Sequence, residues 1–380
     1  MCPKKAEPPR EVTIRAKVVL ENGLAHYFYL SASRFKAGVT KALGCAKKGV
    51  TDATSLYKAT YSVIGNKRYA DGAVLMVREI IESAKALGID LNNVKLSDWW
   101  VLCSRGSPRP EDKGNRNIRL VSKDKVKIVL FNGASWNRYE VSVRVPRIYS
   151  RLFKSVARLS MSCKLGYLAR LIAFDMSSGR VYAELQVNIP YELYLAHRRR
   201  YEEPAGKNIA GVDVNVDRVN LAIIDRRGIL RDVKTFHYPS LASPTLTGEQ
   251  RRSLIHRVMH EALKYSYHHG VSTIVLEDPK VLGYLKLKWV RSSDRKSKSF
   301  NRRVSIFKPS IIEEFVLHVP EYGLDAFYVN PAYTSKLAEA IAKELGLDRH
   351  SVSAYILALE YLGLKPVQVI KSAQKQLEIS

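Results

Sequence analysis

Two carboxylates stand where local sequence preference argues against them. Asp213 interrupts the apolar run 208–214 (NIAGVDV), and Glu277 closes the apolar run 273–276. An Asp among the apolar residues of a strand runs against strand propensity and is costly to bury alone. Brought together, two such carboxylates can share hard divalent cations, which prefer oxygen ligands. Two ions about 3.5–4 Å apart activate a water and stabilise the leaving oxygen in in-line phosphodiester cleavage. The local alternatives are a turn at Asp213 ahead of Asn215 and a solvated strand end at Glu277. A third ligand would come from Asp348-Arg349-His350. Asp348 follows a glycine and precedes a helical run, so it also reads as an N-cap. His350 offers an imidazole, a softer match for Mg2+ than a carboxylate.

Other constellations are weaker. Asp217 and Asp225 fall in expected turns, where Asp is ordinary. His256 and His260 have the i, i+4 spacing used by zinc sites. No general-base Glu lies between them and no third ligand is evident, so the pair reads as a solvated helix face. Neither a Walker glycine loop nor a G-x-S-x-G elbow occurs.

The segment 286–308 carries nine Lys or Arg against the single Asp294, with Trp289 and Phe300 interleaved. Lys286, Lys288, Arg291, Arg295, Lys296, Lys298, Arg302 and Arg303 with Trp289 form a basic track with stacking residues, suited to single-stranded nucleic acid. A solvated loop is the plainer reading of such a run. Arg198-Arg199-Arg200 is a smaller basic cluster of the same kind. The whole chain has 380 residues and a formal charge of +26, which points to a polyanionic partner. Nucleic acid is the expected one. No stretch approaches the roughly 18 uninterrupted apolar residues of a membrane span, and residues 1–10 contain no apolar signal core, so a cytoplasmic protein is expected. Cys2, Cys45, Cys103 and Cys163 have no C-x-x-C spacing and form neither a disulfide framework nor a zinc ribbon.

Positioning elements follow from periodicity. Residues 11–30 read as two strands around a turn at Glu21-Asn22-Gly23, and 31–88 as helical up to Gly88. Residues 104–117 read as an exposed polar loop. Strands are expected in IRLVSKDKVKIVLF, YEVSVRVP and RVYAELQVNIP, with a short helix at LFKSVARLS. After a charged connector at 191–207, three antiparallel strands are expected at 208–214, 218–224 and 229–235. A capping box, Thr247 to Gln250, starts a helix that ends at Gly270. Apolar strands at 273–276 and 326–329 follow, then helices across 335–363 broken at Gly346. The order β-β-β-α-β-α-β-α is that of the ribonuclease-H fold. The middle of its first strand, the end of its fourth and the start of its last helix converge.

Four stretches in register, GVDVNVDRVNLAIID (211–225), IVLED (274–278), VNPAYTSK (329–336) and LDRHSVSAYILALEYLG (347–363), resemble the RuvC-like nuclease half of TnpB. TnpB proteins are transposon-encoded RNA-guided DNA nucleases related to type V CRISPR effectors. The resemblance covers roughly 205–365; the N-terminal half is similar in layout only. It implies an α+β multidomain chain with a ribonuclease-H-like (RuvC) domain at 208–366 and a β-rich wedge domain at 11–190, carrying a helical recognition insert at about 31–110. Residues 191–207 would link the two, with tails at 1–10 and 367–380. It also implies a guide RNA and a target DNA as partners and Mg2+ (or Mn2+) held by Asp213, Glu277 and His350 or Asp348. Two departures stand out. Thr334-Ser335 leads into a helix where the family opens a four-cysteine ribbon, so no zinc is expected. His350 stands where the family has its last catalytic aspartate. A guided binding protein that does not cut, or a guide-independent nucleic-acid-binding protein, are the alternative readings.

Overall fold

The computed structural model describes residues 3–279, 311–330 and 334–366, apart from 22, 97–99, 178, 216, 240, 242 and 244. The chain divides into two compact units, one of residues 10–197 and one of residues 1–9 with 198–380. The short strand β1 (Lys4–Lys5) belongs to the second unit, where it pairs with the strand at Asp325–Val329. Lys4 and Lys5 therefore join a sheet, within the 1–10 segment expected from sequence to be a tail.

The 10–197 unit is built on a wholly antiparallel seven-stranded sheet. Its strands are β2 (Glu11–Glu21), β3 (Trp100–Arg105), β4 (Ile118–Leu120), β5 (Lys125–Phe131), β6 (Trp136–Arg144), β7 (Leu168–Ser177) and β8 (Arg180–Pro190). They lie in the order β3-β7-β8-β2-β6-β5-β4. Three helices, α1 (Gly23–Lys47), α2 (Ala53–Ile64) and α3 (Lys67–Leu87), interrupt it between β2 and β3. Two more, α4 (Ser150–Met161) and α5 (Tyr191–Arg198), follow the later strands.

The expected second strand before residue 30 is instead the start of α1. Ala25, Phe28, Ala32, Phe35, Val39, Ala42 and Ala46 are buried, a helical spacing, while Tyr29 is exposed. The aromatic run 27–29 resembles a strand locally, but only every third or fourth residue there reaches the core. The polar stretch after β3 also differs from expectation. Asp112, Asn115 and Asn117 are buried. Asn115 donates to the carbonyls of Ser104 and Tyr167 and accepts from the amides of Asn117 and Ile118, so its side chain satisfies backbone groups that a buried loop would otherwise strand.

Asp112 receives Arg68 at 2.5 Å and the Ser107 hydroxyl at 2.6 Å. Removing one partner of a buried pair leaves a stranded charge. Arg68→Met is expected to lower the stability of this unit by about 3 kcal/mol in urea denaturation, and adding Asp112→Asn should recover part of that loss. Equal loss in the single and double variants would show that the charge pair is not the cause.

The second unit has the ribonuclease-H-like arrangement that the element order implies. Strands β9 (Asn208–Val214), β10 (Arg218–Ile224) and β11 (Leu230–His237) form an antiparallel meander. A capped helix α6 (Gly248–His268) then leads to β12 (Val271–Glu277), which runs parallel to β9. A helix at 311–318 (α7) and a single 3-10 turn (Val319–Tyr322) precede β13 (Asp325–Val329), parallel to β12. The sheet order is β1-β13-β12-β9-β10-β11. Helices α8 (Thr334–Leu345) and α9 (Arg349–Tyr361) complete the unit.

Both faces of β9 are covered, which explains its unbroken apolar character. Ala210, Val212 and Val214 pack with α6 and α7, whereas Ile209 packs with Ala354, Leu357 and Ala358 of α9. Gly211 is why α9 can lie so close. A Cβ there would sit 1.9 Å from the carbonyl oxygen of Ala354. Among the described residues, no helix is long and apolar enough to cross a membrane.

Candidate active site

The close approach at Gly211 determines what stands over the carboxyl end of β9. Asp213 lies two residues further along the strand and His350 one turn before Ala354 on α9, so the two rows run in opposite directions and meet. His350 Nδ1 is 3.0 Å from Asp213 Oδ2. Asn215 Nδ2 donates to the same oxygen at 2.9 Å and lies 3.2 Å from His350 Nδ1. Nδ1 can donate to Asp213 only while it carries its proton.

Glu277 reaches this face from the neighbouring strand. Val212 is paired with Leu276, so Asp213 and Glu277 are the next residues of two parallel strands. Val275 already faces α9, and period 2 carries Glu277 to that side. Asp213 is 4% and Glu277 5% exposed, so both carboxylates are buried side by side. Negative groups so placed repel each other unless protons or a cation intervene.

Asp348 has a different post. It caps α9, accepting from the amides of His350 at 2.9 Å and Ser351 at 3.2 Å and from the Ser351 hydroxyl. Burial opposes its charge, but these hydrogen bonds hold the carboxyl below its ordinary range. Its acceptor capacity is turned towards its own helix, while His350 faces Asp213. Asp217 pairs with its neighbour Arg218 at 2.8 and 3.1 Å, which holds its carboxyl low. Asp225 accepts from the amides of Arg227 and Ile229 and forms the turn expected of it.

Sequence reasoning missed the polar residues that steady this face. Asn220 of β10 is buried opposite Asp213 and donates to Thr235 Oγ1 at 2.9 Å and Ser351 Oγ at 3.2 Å. Tyr238 donates to the carbonyl of Asn215 at 2.5 Å, and burial pushes its hydroxyl pKa up. A buried Asn in a central strand was the available signal, since such a group needs a partner.

Of the residues proposed for nucleic acid, Arg199 is exposed, but Arg198 and Arg200 approach the buried Glu321 at 3.6 and 3.3 Å. Part of that cluster's charge is thus used inside the unit. Lys286, Lys288, Trp289, Arg291, Arg295, Lys296, Lys298, Arg302 and Arg303 lie outside the described residues.

The donor set fits a divalent cation. Two adjacent buried carboxylates and an imidazole nitrogen within hydrogen-bond reach of one of them offer the oxygen-rich ligation that Mg2+ or Mn2+ takes, with one softer member.

A solved Cas12f1–sgRNA–target DNA complex contains a chain with a similar fold, at a TM-score of 0.51 and 12% identity, covering 88% of this chain and 81% of that one. A family model described as the SSO2105 N-terminal domain matches residues 11–199. An Aeropyrum pernix protein is 36% identical over 377 residues, 94% of this chain and 88% of that protein. A second from the same organism is 36% identical over 365 residues, covering 92% and 95%. The Saccharolobus solfataricus protein SSO2105 is 30% identical over 319 residues, 81% of each. With relatives so alike across both units, the chain belongs to the SSO2105 family.

Proposed function

We propose that this chain is an RNA-guided DNA endonuclease of RuvC type that hydrolyses phosphodiester bonds. The observation that carries the reading is the convergence of Asp213, Glu277 and His350 on one face of a ribonuclease-H-like sheet. Asp213 and Glu277 would hold the metal, and His350 completes the set through Nδ1 once that nitrogen gives up its proton. Bound there, a pair of Mg2+ ions supplies Lewis acidity to the attacking water and to the leaving oxygen. Asn215 keeps Asp213 oriented, and Asn220 with Ser351 fixes the start of α9 so that His350 stays over the strand end. The +26 charge, the TnpB-like motifs and the fold shared with a Cas12f1 chain support a guide RNA and a target DNA as partners. In that mode base pairing reads sequence, while the protein holds the nucleic-acid backbone.

A second reading, a guided protein that binds without cutting, is favoured by one observation: His350 stands where the TnpB pattern that this chain resembles has its last catalytic aspartate. The test is to sequence the RNA that co-purifies with the full chain and then offer a matching DNA with Mg2+. One defined RNA species and cleavage that stops on chelation are the expected results. A heterogeneous RNA population overturns guidance, and a defined RNA with no cleavage selects the binding-only reading.

A further inference from the structure

The histidine pair that sequence reads as a solvated face has a third member. His256 and His260 project from adjacent turns of α6, with ring centroids 6.1 Å apart. His318, at the end of α7, stands 5.0 Å from each of them, edge to face. One ring nitrogen from each lies within 4.8 Å of the others. These helices pack on the sheet face opposite α9, so the cluster is separate from Asp213 and Glu277.

We propose that His256, His260 and His318 form a zinc-type cation site that ties α6 to α7, with Glu314 as its counter-charge. Zn2+ binds imidazole nitrogens at about 2.0–2.1 Å, so tetrahedral ligands stand about 3.4 Å apart; inward shifts of about 1 Å per ring would close the set. Two of the rings, His318 and His260, are already oriented by outer partners, as in metal sites where a second polar group holds the nitrogen that does not bind the ion. His318 Nδ1 lies 2.7 Å from Glu321 Oε1, which leaves Nε2 as its ligand atom. His260 Nδ1 lies 3.0 Å from the Tyr322 hydroxyl, which leaves its Nε2 likewise. Glu314 Oε2 stands 3.4 Å from His318 Nε2 and 3.6 Å from His256 Nε2.

The carboxylates around the cluster supply counter-charge for a cation. Burial lowers the pKa of His256 and His260, whereas His318, despite its burial, is held up by Glu314 and Glu321, so a cation taken by the three rings displaces a proton from His318. Glu321 is matched by Arg198 and Arg200, whereas the Glu314 carboxylate faces two of the ligand rings and can offset a cation.

The test uses the full chain purified without a polyhistidine tag, stripped with chelator and given Zn2+ alone. One tightly held zinc per chain and a raised melting temperature are expected. Co2+ in its place should give the intense visible absorption of a tetrahedral nitrogen-ligated ion. His256→Gln and His260→Gln, both at partly exposed positions, should each lose stoichiometric zinc and the melting shift, while Asp213→Asn keeps both. No retained zinc in the wild type overturns the site. So does zinc binding that survives in the two histidine variants or disappears with Asp213→Asn.

Discussion

Asp213→Asn is expected to reduce Mg2+-dependent strand cleavage by at least about a hundred- to a thousandfold, the scale of losing one group that stabilises transition-state charge. The fold should survive. The amide can keep a contact with Asn215 or His350, and the change removes a buried negative charge beside Glu277. A melting temperature at or above that of wild type, together with lost cleavage, separates a chemical role from a structural one. Retained cleavage in this variant would remove Asp213 from the reaction.

His350→Asp extends the same experiment. It places a third carboxylate over Asp213, and without metal the three repel. The variant should melt lower than wild type in chelator and gain more than wild type when Mg2+ is added. If wild type is inert while His350→Asp cuts, the chain is a binding protein whose site has been restored by substitution.

Gly211→Ala carries the second large effect. The added Cβ would meet the Ala354 oxygen at 1.9 Å and the Ala358 nitrogen at 3.0 Å, both backbone atoms of α9 that have no rotamer to change. Overpacking of this kind costs about 1–3 kcal/mol or more, because helix and strand must part. At roughly 2–4 °C per kcal/mol for a domain of this size, a melting temperature lower by several degrees is expected. Activity should fall further than stability explains, since moving Ala354 outward also lifts His350 from Asp213. Gly248→Ala is the matched control: it lies in the first turn of α6, and a Cβ there meets nothing within 4 Å. It should leave the melting temperature unchanged or slightly raised. A Gly211→Ala protein as stable as wild type would show that α9 does not rest on β9.

Much of the second unit was legible because its signals are local. Alternating or continuous apolar runs mark β9, β10, β12 and β13, and the Thr247–Gln250 capping box marks the start of α6, with both reciprocal hydrogen bonds present. The short helix at LFKSVARLS and the strand RVYAELQVNIP follow from the same periodicities. Where a local pattern fits two elements, the reading fails: the aromatics at 27–29 suit a strand or a helix, and packing of Phe28, Ala32 and Phe35 decides for α1. Strand β3 pairs over its whole length with the first part of β7, Trp100 with Ala173 through to Arg105 with Leu168, across more than 60 residues. Neither announces that pairing in its own sequence.

What the sequence determined by itself is the inventory: the odd carboxylates Asp213 and Glu277, the His in the Asp348-Arg349-His350 triplet, the basic excess and the strand and helix order. Residue type and short-range spacing suffice for these. Only the tertiary structure decided which groups meet. It set His350 against Asp213 through the Gly211 contact, turned Asp348 into a helix cap, buried the polar loop around Asn115 and brought His318 to a histidine pair more than fifty residues earlier in the chain. Such encounters depend on which sheet face a helix covers and how closely it lies, and those distances are set by packing across the whole unit.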